Sequence, residues 1–270
     1  LVATPSSFSD NGTDFGSPDI KLVNKQRIAL LKGEGVSSLS YGAIWHFFET
    51  ELKYPLTSID TDDFRTSSLD QFDVLILPET YYWEALDEDS IKTLKSWIQK
   101  GGKLIAMGSS VSLFNDKEGF GISINNEVEK EKTEDDLDSK LQPYDQREIN
   151  NVKNFITGSV YKITIDNSHP MAFGYNNIYY SLKQGKESYK FLDSGYNVGY
   201  IKGDAVSVSG FSGKEAKKGL KNSIVFAEKR MGRGSVIYLV DDVLFRSFWE
   251  NGKLFLVNSI FFVNNNKIII

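Results

Sequence analysis

The chain has 270 residues, 40% of them hydrophobic and 13% aromatic, a length that lets a globular protein bury roughly 70–75% of its unfolded surface without a disulfide or metal staple. Its 31 basic and 36 acidic side chains leave a net charge of −5, and no basic stripe interleaves with aromatics, so the electrostatic footprint of a nucleic-acid binder is excluded. No apolar run approaches the roughly 20 residues of a spanning helix, so no membrane partner is expected, and the absence of cysteine excludes disulfides, thiolate zinc sites and a cysteine nucleophile.

From Leu1 to about Asp19 the chain runs through Ser, Gly, Asn, Asp and Pro with no basic stretch leading into an apolar one. Residues 1–25 therefore read as a linker from a missing upstream domain. RIALLK at 27–32 is a strand ending in Gly33-Glu34-Gly35, and residues 41–52 place Ile44, Trp45, Phe48 and Leu52 at helical spacing. Residues 56–60 and DVLIL at 73–77 are further strands, the second stopped by Pro78-Glu79-Thr80. Residues 87–100 form a marked helix: Asp and Glu fill the first turn, Ile91, Leu94, Trp97 and Ile98 make the stripe, and Gly101-Gly102 ends it. A buried strand at 103–107 follows. This alternation predicts a parallel, doubly wound α/β sheet.

The rhythm stops in an insertion at about 116–150, where residues 127–138 hold seven acidic and two basic side chains, a local net of −5. Such a run reads as a solvated charged segment, with an acidic docking or cation-binding surface as the alternative. Beyond Gly158 the pattern is β-rich, with strands expected at 159–165, 189–192 and 198–201. Residues 223–230 and 235–240 flank Met231-Gly232-Arg233-Gly234 and read as a hairpin. An apolar helix at 254–263 closes a single composite domain of residues 26–263, leaving 264–270 as a tail.

Three constellations could carry chemistry. Ligands of open α/β sheets bind beyond the carboxyl ends of the strands, which places Gly33 to Gly35, Glu79 and Thr80, and Gly108 to Ser110 around one crevice. His46 and Glu49 make a His-x-x-Glu pair, with His169 following far downstream. Zinc would need these groups to converge on an open position, whereas His46 lies in an aromatic helix and His169 precedes Pro170 in a turn. Asp241-Asp242 follows a buried strand and precedes Arg246 and Trp249. The set reads either as an Asp–Arg pair organising the turn or as a pocket in which Asp242, Arg246 and Trp249 bind a sugar or peptide.

Five stretches together resemble the C-terminal domain of bacterial zinc-carboxypeptidase-like proteins: IALLKGEGVSSLSYGAIWHFFE (28–49), DVLILPETYY (73–82), LKSWIQKGGKLIAMGSS (94–110), SHPMAFGY (168–175) and GRGSVIYLVDDVLFRSFWENGKLFLVNSIFF (232–262). The resemblance covers nearly the whole chain from Arg27. It implies a flavodoxin-like, class I glutamine amidotransferase-like sheet with a β-rich C-terminal extension, placed after the peptidase domain of an exported protein. It also implies that zinc and peptide hydrolysis belong to that upstream domain, so no cofactor is expected here. In amidotransferase-like proteins the nucleophilic cysteine sits on the turn after a strand resembling 103–107. Here that turn is Met107-Gly108-Ser109-Ser110-Val111, with Ser109 nearest the nucleophile's place, and the downstream His-x-Glu pair is missing.

The leading expectation is a non-catalytic accessory domain that packs on the peptidase domain or assists peptide or glycopeptide binding. The alternatives are a small hydrolase using Ser109 with Glu79 or His169 as base, and a carbohydrate- or peptide-binding module around Asp242, Arg246 and Trp249.

Overall fold

The structure is a computed structural model that describes residues 6–17, 20, 22–81, 86–125, 141 and 143–264. In chain order the regular elements are β1 (Ile28–Lys32), α1 (Ser38–His46), β2 (Thr57–Asp60), β3 (Val74–Leu77), α2 (Glu88–Gln99), β4 (Lys103–Met107), α3 (Tyr144–Val152), β5 (Ile156–Ile165), β6 (Ile178–Lys183), β7 (Tyr196–Ile201), β8 (Ser207–Ser212), α4 (Lys214–Lys218), β9 (Ser223–Met231), β10 (Gly234–Leu239) and α5 (Glu250–Phe261). The strands form one sheet ordered β2-β1-β3-β4-β10-β9-β7-β5-β6, with β8 paired beside β5. β2, β1, β3, β4 and β10 run parallel. From β9 onward every pairing is antiparallel. The order reverses between β1 and β3, the switch point of a flavodoxin-like sheet.

Successive residues of a strand point to opposite faces, and here both faces are covered. Ile28, Leu30, Val74, Ile76, Ile105 and Met107 pack with Ile44, Phe47 and Phe48 and with Phe255, Leu256 and Ile260 of α5. Ala29, Leu31, Leu75, Leu77, Leu104 and Ala106 pack with Ile91, Leu94, Trp97 and Ile98 of α2. Burial on both faces is why these strands read as unbroken apolar runs rather than as alternation.

Helix ends follow their capping chemistry. Asp87 Oδ1 accepts the Ser90 amide at 2.9 Å at the start of α2. Ser37 Oγ caps α1 in the same way at 3.3 Å, so the helix begins three residues before the apolar spacing suggests. Past His46 it continues as a π-helical turn, Phe47–Leu52, ended by Lys53 at φ +50°. The hairpin turn falls at Gly232-Arg233, between Met231 and Gly234. A Cβ on Gly234 would lie 2.1 Å from Gly102 O, so a glycine is what lets the hairpin close onto the end of α2.

The antiparallel half departs from expectation in two ways. Residues 189–192 form no strand; Tyr189 makes only single bridges, to Ile124 and Ile224. β6 and β8 carry no apolar alternation: β6 turns Tyr179, Ser181 and Lys183 inward, and β8 is largely exposed. This half also curls, because Ser181 and Lys183 of β6 reach Asp241 at the end of β10. Tyr175, Tyr179, Phe226 and Phe255 pack together under α5, with Phe226 and Phe255 centroids 4.3 Å apart.

The acidic run at 127–138 lies outside the described residues, as do parts of the linker and tail, residues 1–5 and 265–270. Among the described residues no helix is long and apolar enough to cross a membrane.

Candidate functional site

The carboxyl ends of β1, β3, β4 and β10 bring Gly33 to Val36, Glu79 to Tyr81, Gly108 to Ser110 and Asp241-Asp242 to one end of the sheet. At the switch point the loops after β1 and β3 are zipped together. Ser37 N–H donates to Glu79 O and Tyr81 N–H to Gly35 O, each at 2.8 Å. Ser40 Oγ accepts the Glu79 amide at 3.2 Å, and Ser37 Oγ lies 3.0 Å from Tyr81 Oη. Backbone and hydroxyl groups that would face a ligand at the start of α1 are therefore taken by the chain's own β3 loop.

The turn after β4 is sharp. Gly108 has φ +59°, the left-handed region that disfavours any residue with a Cβ. A Cβ there would lie 2.4 Å from Glu79 Oε1 and 2.5 Å from Glu79 Cγ, so the Glu79 side chain fills the space a side chain at the elbow would need. Ser109 follows, and its Oγ accepts the Thr80 amide at 2.9 Å and donates to Thr80 O at 2.7 Å. Its one proton is committed to a carbonyl, with no base in that bond. Ser110 Oγ accepts the Met107 amide at 2.9 Å and braces the turn from beneath.

Two carboxyls in the crevice are held away from their ordinary state. Burial, and then the charges of Asp242 and Asp241, push Glu79 up to about 7. Burial pushes Asp242 up to about 6, against the Leu244 amide that favours its carboxylate and with help from Asp241. Asp241 itself is paired with Lys183 Nζ at 2.8 Å and receives Ser181 Oγ–H at 2.6 Å. Glu79 and Asp242 thus sit as proton-holding groups beside Ser109, whose hydroxyl is bonded to the Thr80 backbone.

Ser109, Glu79 and Asp242 share this end of the molecule. His169 does not: it follows β5, where its Nδ1 accepts the Met171 amide at 3.2 Å and its Nε2 lies 2.9 Å from Glu228 Oε2. An Nδ1 that accepts leaves the proton on Nε2, which donates to Glu228. His46 and Glu49 are exposed, and Glu49 Oε2 receives the Trp45 indole N–H at 2.6 Å. Among the described residues no three His, Asp or Glu side chains converge as metal ligands. Arg246 makes no ion pair with Asp241 or Asp242 among the described residues; it lies over the Phe245 ring at 5.3 Å. Trp249 is half-buried and donates to Tyr179 Oη at 3.1 Å.

Sequence reasoning missed Lys183, Ser181, Lys103 and Glu228. Lys103 Nζ donates to Ile260 O at 2.6 Å, and burial lowers it to about 7 against the pull of Glu228 and Asp73. Burial opposes the Glu228 carboxylate, yet bonds from His169 and Ser235 outweigh that and hold it below its ordinary value. Lys103 heads an otherwise apolar strand, Ser181 and Lys183 share one strand, and Glu228 opens a run of three charged residues in β9 that reads as solvent-facing, so no local pattern marks any of them as buried.

No protein-family model matches the chain, and no curated protein matches it. Solved structures do. A candidate ThuA-like protein from Bacteroides uniformis aligns with a TM-score of 0.50 at 13% identity, covering 95% of this chain and 94% of that one. A candidate GMP synthase component from Thermoplasma acidophilum aligns with a TM-score of 0.51 at 11% identity, covering 88% and 94%. An exo-β-1,4-mannosidase from an Opitutaceae bacterium aligns with a TM-score of 0.45 at 13% identity over 86% of this chain, which spans only 34% of the mannosidase. These likenesses are to the fold, a flavodoxin-like α/β sheet of the glutamine amidotransferase type.

Proposed function

We propose that this chain is a non-catalytic accessory domain of an exported zinc-carboxypeptidase-like polypeptide, packing on the peptidase domain or helping to present peptide or glycopeptide substrate. The observation that carries the non-catalytic part is the elbow after β4. The strained position of the turn is Gly108, and the Glu79 carboxyl fills the space a side chain there would need. Ser109 beside it is bonded in both directions to the Thr80 backbone. The peptidase partner and export rest on the sequence resemblance. The test is to assay the full-length polypeptide with and without residues 26–263, and the isolated chain beside it. The reading expects an inert isolated chain and a deletion that changes the parent's stability or substrate range. Hydrolysis by the isolated chain that disappears in Ser109→Ala would replace it with the hydrolase reading.

A second reading has its own support. Arg246 and Ser247 are consecutive non-glycine residues with φ of +49° and +62° just past Asp242, and strained backbone gathers at ligand sites. A glycan or peptide held by Asp242, Arg246 and Trp249 fits that position. Trp249→Phe keeps the aromatic ring but loses the bond to Tyr179. Binding of the native chain to a glycan or peptide array that falls in Arg246→Ala would favour this reading; blank arrays of both kinds would remove it.

A further inference from the structure

At the opposite end of β10 from the crevice, a cleft of about 270 Å³ opens between the turn after β5, the start of β7, the last residues of β9 and the end of α5. Asp166, His169, Tyr196, Arg230, Pro170 and Val263 are among the residues that line it. Arg230 is held from two sides. Its guanidinium lies 5.7 Å over the Tyr196 ring, and its Nε is 3.7 Å from Glu228 Oε1. Tyr196 packs 5.1 Å from the His169 ring, and His169 is fixed in turn by its bond to buried Glu228. This stack orients the arginine and leaves its Nη groups without a partner among the described residues, and it is those groups that grip carboxylates in pairs.

Asp166 lines the same cleft. Its Oδ1 accepts Ser168 N–H at 3.1 Å and Ser168 Oγ–H at 2.6 Å, which fix the carboxylate, and no cation pairs with it among the described residues. Asp166 and Arg230 thus bring opposite charges to one small cleft without pairing with each other, while Glu228, the other carboxylate lining it, is taken up by His169, Ser235 and Arg230 Nε. A purely anionic ligand would meet Arg230 but be repelled by Asp166, and a cation the reverse; only a ligand carrying both charges satisfies both. The cleft is smaller than the roughly 300–1,000 Å³ of drug-sized pockets, and Pro170 and Val263 give it an apolar wall.

We propose that this cleft binds a free α-amino acid, its carboxylate on Arg230, its ammonium on Asp166 and an apolar side chain against Pro170 and Val263. The proposal does not rest on the accessory-domain reading. It is tested by calorimetric titration of the whole chain with L-leucine, L-methionine and L-phenylalanine, beside N-acetyl-L-leucine, which lacks the ammonium, and L-leucinamide, which lacks the carboxylate. Saturable binding of at least one free amino acid is expected, with both leucine derivatives at least about tenfold weaker than leucine, a loss of one charged contact. Arg230→Gln and Asp166→Asn should each weaken binding by about tenfold or more while leaving the circular-dichroism spectrum and Tm unchanged. Arg230→Lys, which keeps the charge but not the fork, should fall between. No saturable heat with any of the three amino acids up to about 10 mM overturns the proposal. So does N-acetyl-L-leucine binding as tightly as leucine, which would make this a plain anion site, or unaltered binding in Arg230→Gln.

Discussion

The Glu79 carboxyl and the Gly108 backbone are mutually exclusive with any side chain at position 108: a Cβ there would sit 2.4 Å from Glu79 Oε1. Gly108→Ala therefore meets two penalties, the left-handed backbone and the displacement of Glu79, for a total of about 1–3 kcal/mol. Glu79→Ala removes the second but not the first, so Gly108→Ala should cost only about 1–2 kcal/mol in that background. Urea unfolding of the four proteins of this double-mutant cycle measures the difference as a coupling energy. A coupling of zero would mean that Glu79 swings away freely and does not fill the elbow.

The same carboxyl makes stability depend on pH. Glu79 rises from 4.5 to about 7 and Asp242 from 3.8 to about 6 on folding. Between the unfolded and folded values the native chain binds more protons than the unfolded one, so stability falls as pH rises through roughly 4 to 7 and levels off above. Glu79→Gln should flatten this limb and leave the protein more stable than wild type above pH 7, by an amount of order 2 kcal/mol. Because Glu79 and Asp242 raise each other, adding Asp242→Asn should gain less than the two single changes summed. Denaturation midpoints at intervals across this range check both statements, and parallel profiles for wild type and Glu79→Gln would contradict them.

Lys103 acts in the opposite sense. Burial lowers it from 10.5 to about 7, so above pH 7 the unfolded chain holds the extra proton and stability rises with pH until about 10.5. Together with the carboxyls this gives a stability minimum near neutral pH. Lys103→Met should abolish the alkaline rise, at the cost of about 1 kcal/mol for the unpaired Ile260 carbonyl. Retention of the rise in Lys103→Met would assign it to another group.

How much of this is legible in the sequence depends on what each position faces. β1, β3 and β4 can be read because burial on both faces makes them continuous apolar runs, and α2 because Asp87 to Asp89, its stripe and Gly101 mark both ends. Glu79 and Gly108 to Ser110 can be placed at strand ends, but their contact depends on a turn geometry that residue types do not encode. β6 is invisible because its inward positions are Tyr179, Ser181 and Lys183. Ser181 and Lys183 share Asp241, which lies 58 residues beyond Lys183; Lys183 also donates to the nearby Glu187 carbonyl, but a charged partner 58 residues away leaves no local signal. His169 stands out as a zinc-ligand candidate, whereas its actual partner, Glu228, is the first of three consecutive charges, Glu228-Lys229-Arg230, and reads as solvent-facing.

The Asp241–Lys183 pair is the tie that holds β6 against the end of β10, and it is deeply buried, with side chains 6% and 5% exposed. Removing one partner strands the other charge away from water. Lys183→Met or Asp241→Ala should each destabilise by about 3–5 kcal/mol, whereas Lys183→Met with Asp241→Leu should restore much of the loss. The pair also reaches into the crevice, because Asp241 helps to raise both Glu79 and Asp242. In the double variant that negative charge is gone, so both carboxyls should titrate at lower pH than in wild type. Carbon-detected NMR titration of the Glu79 and Asp242 side chains reads this directly. An unchanged Glu79 midpoint would show that burial and Asp242 set its proton affinity without Asp241, and that the curl of the antiparallel strands has no electrostatic hold on the crevice.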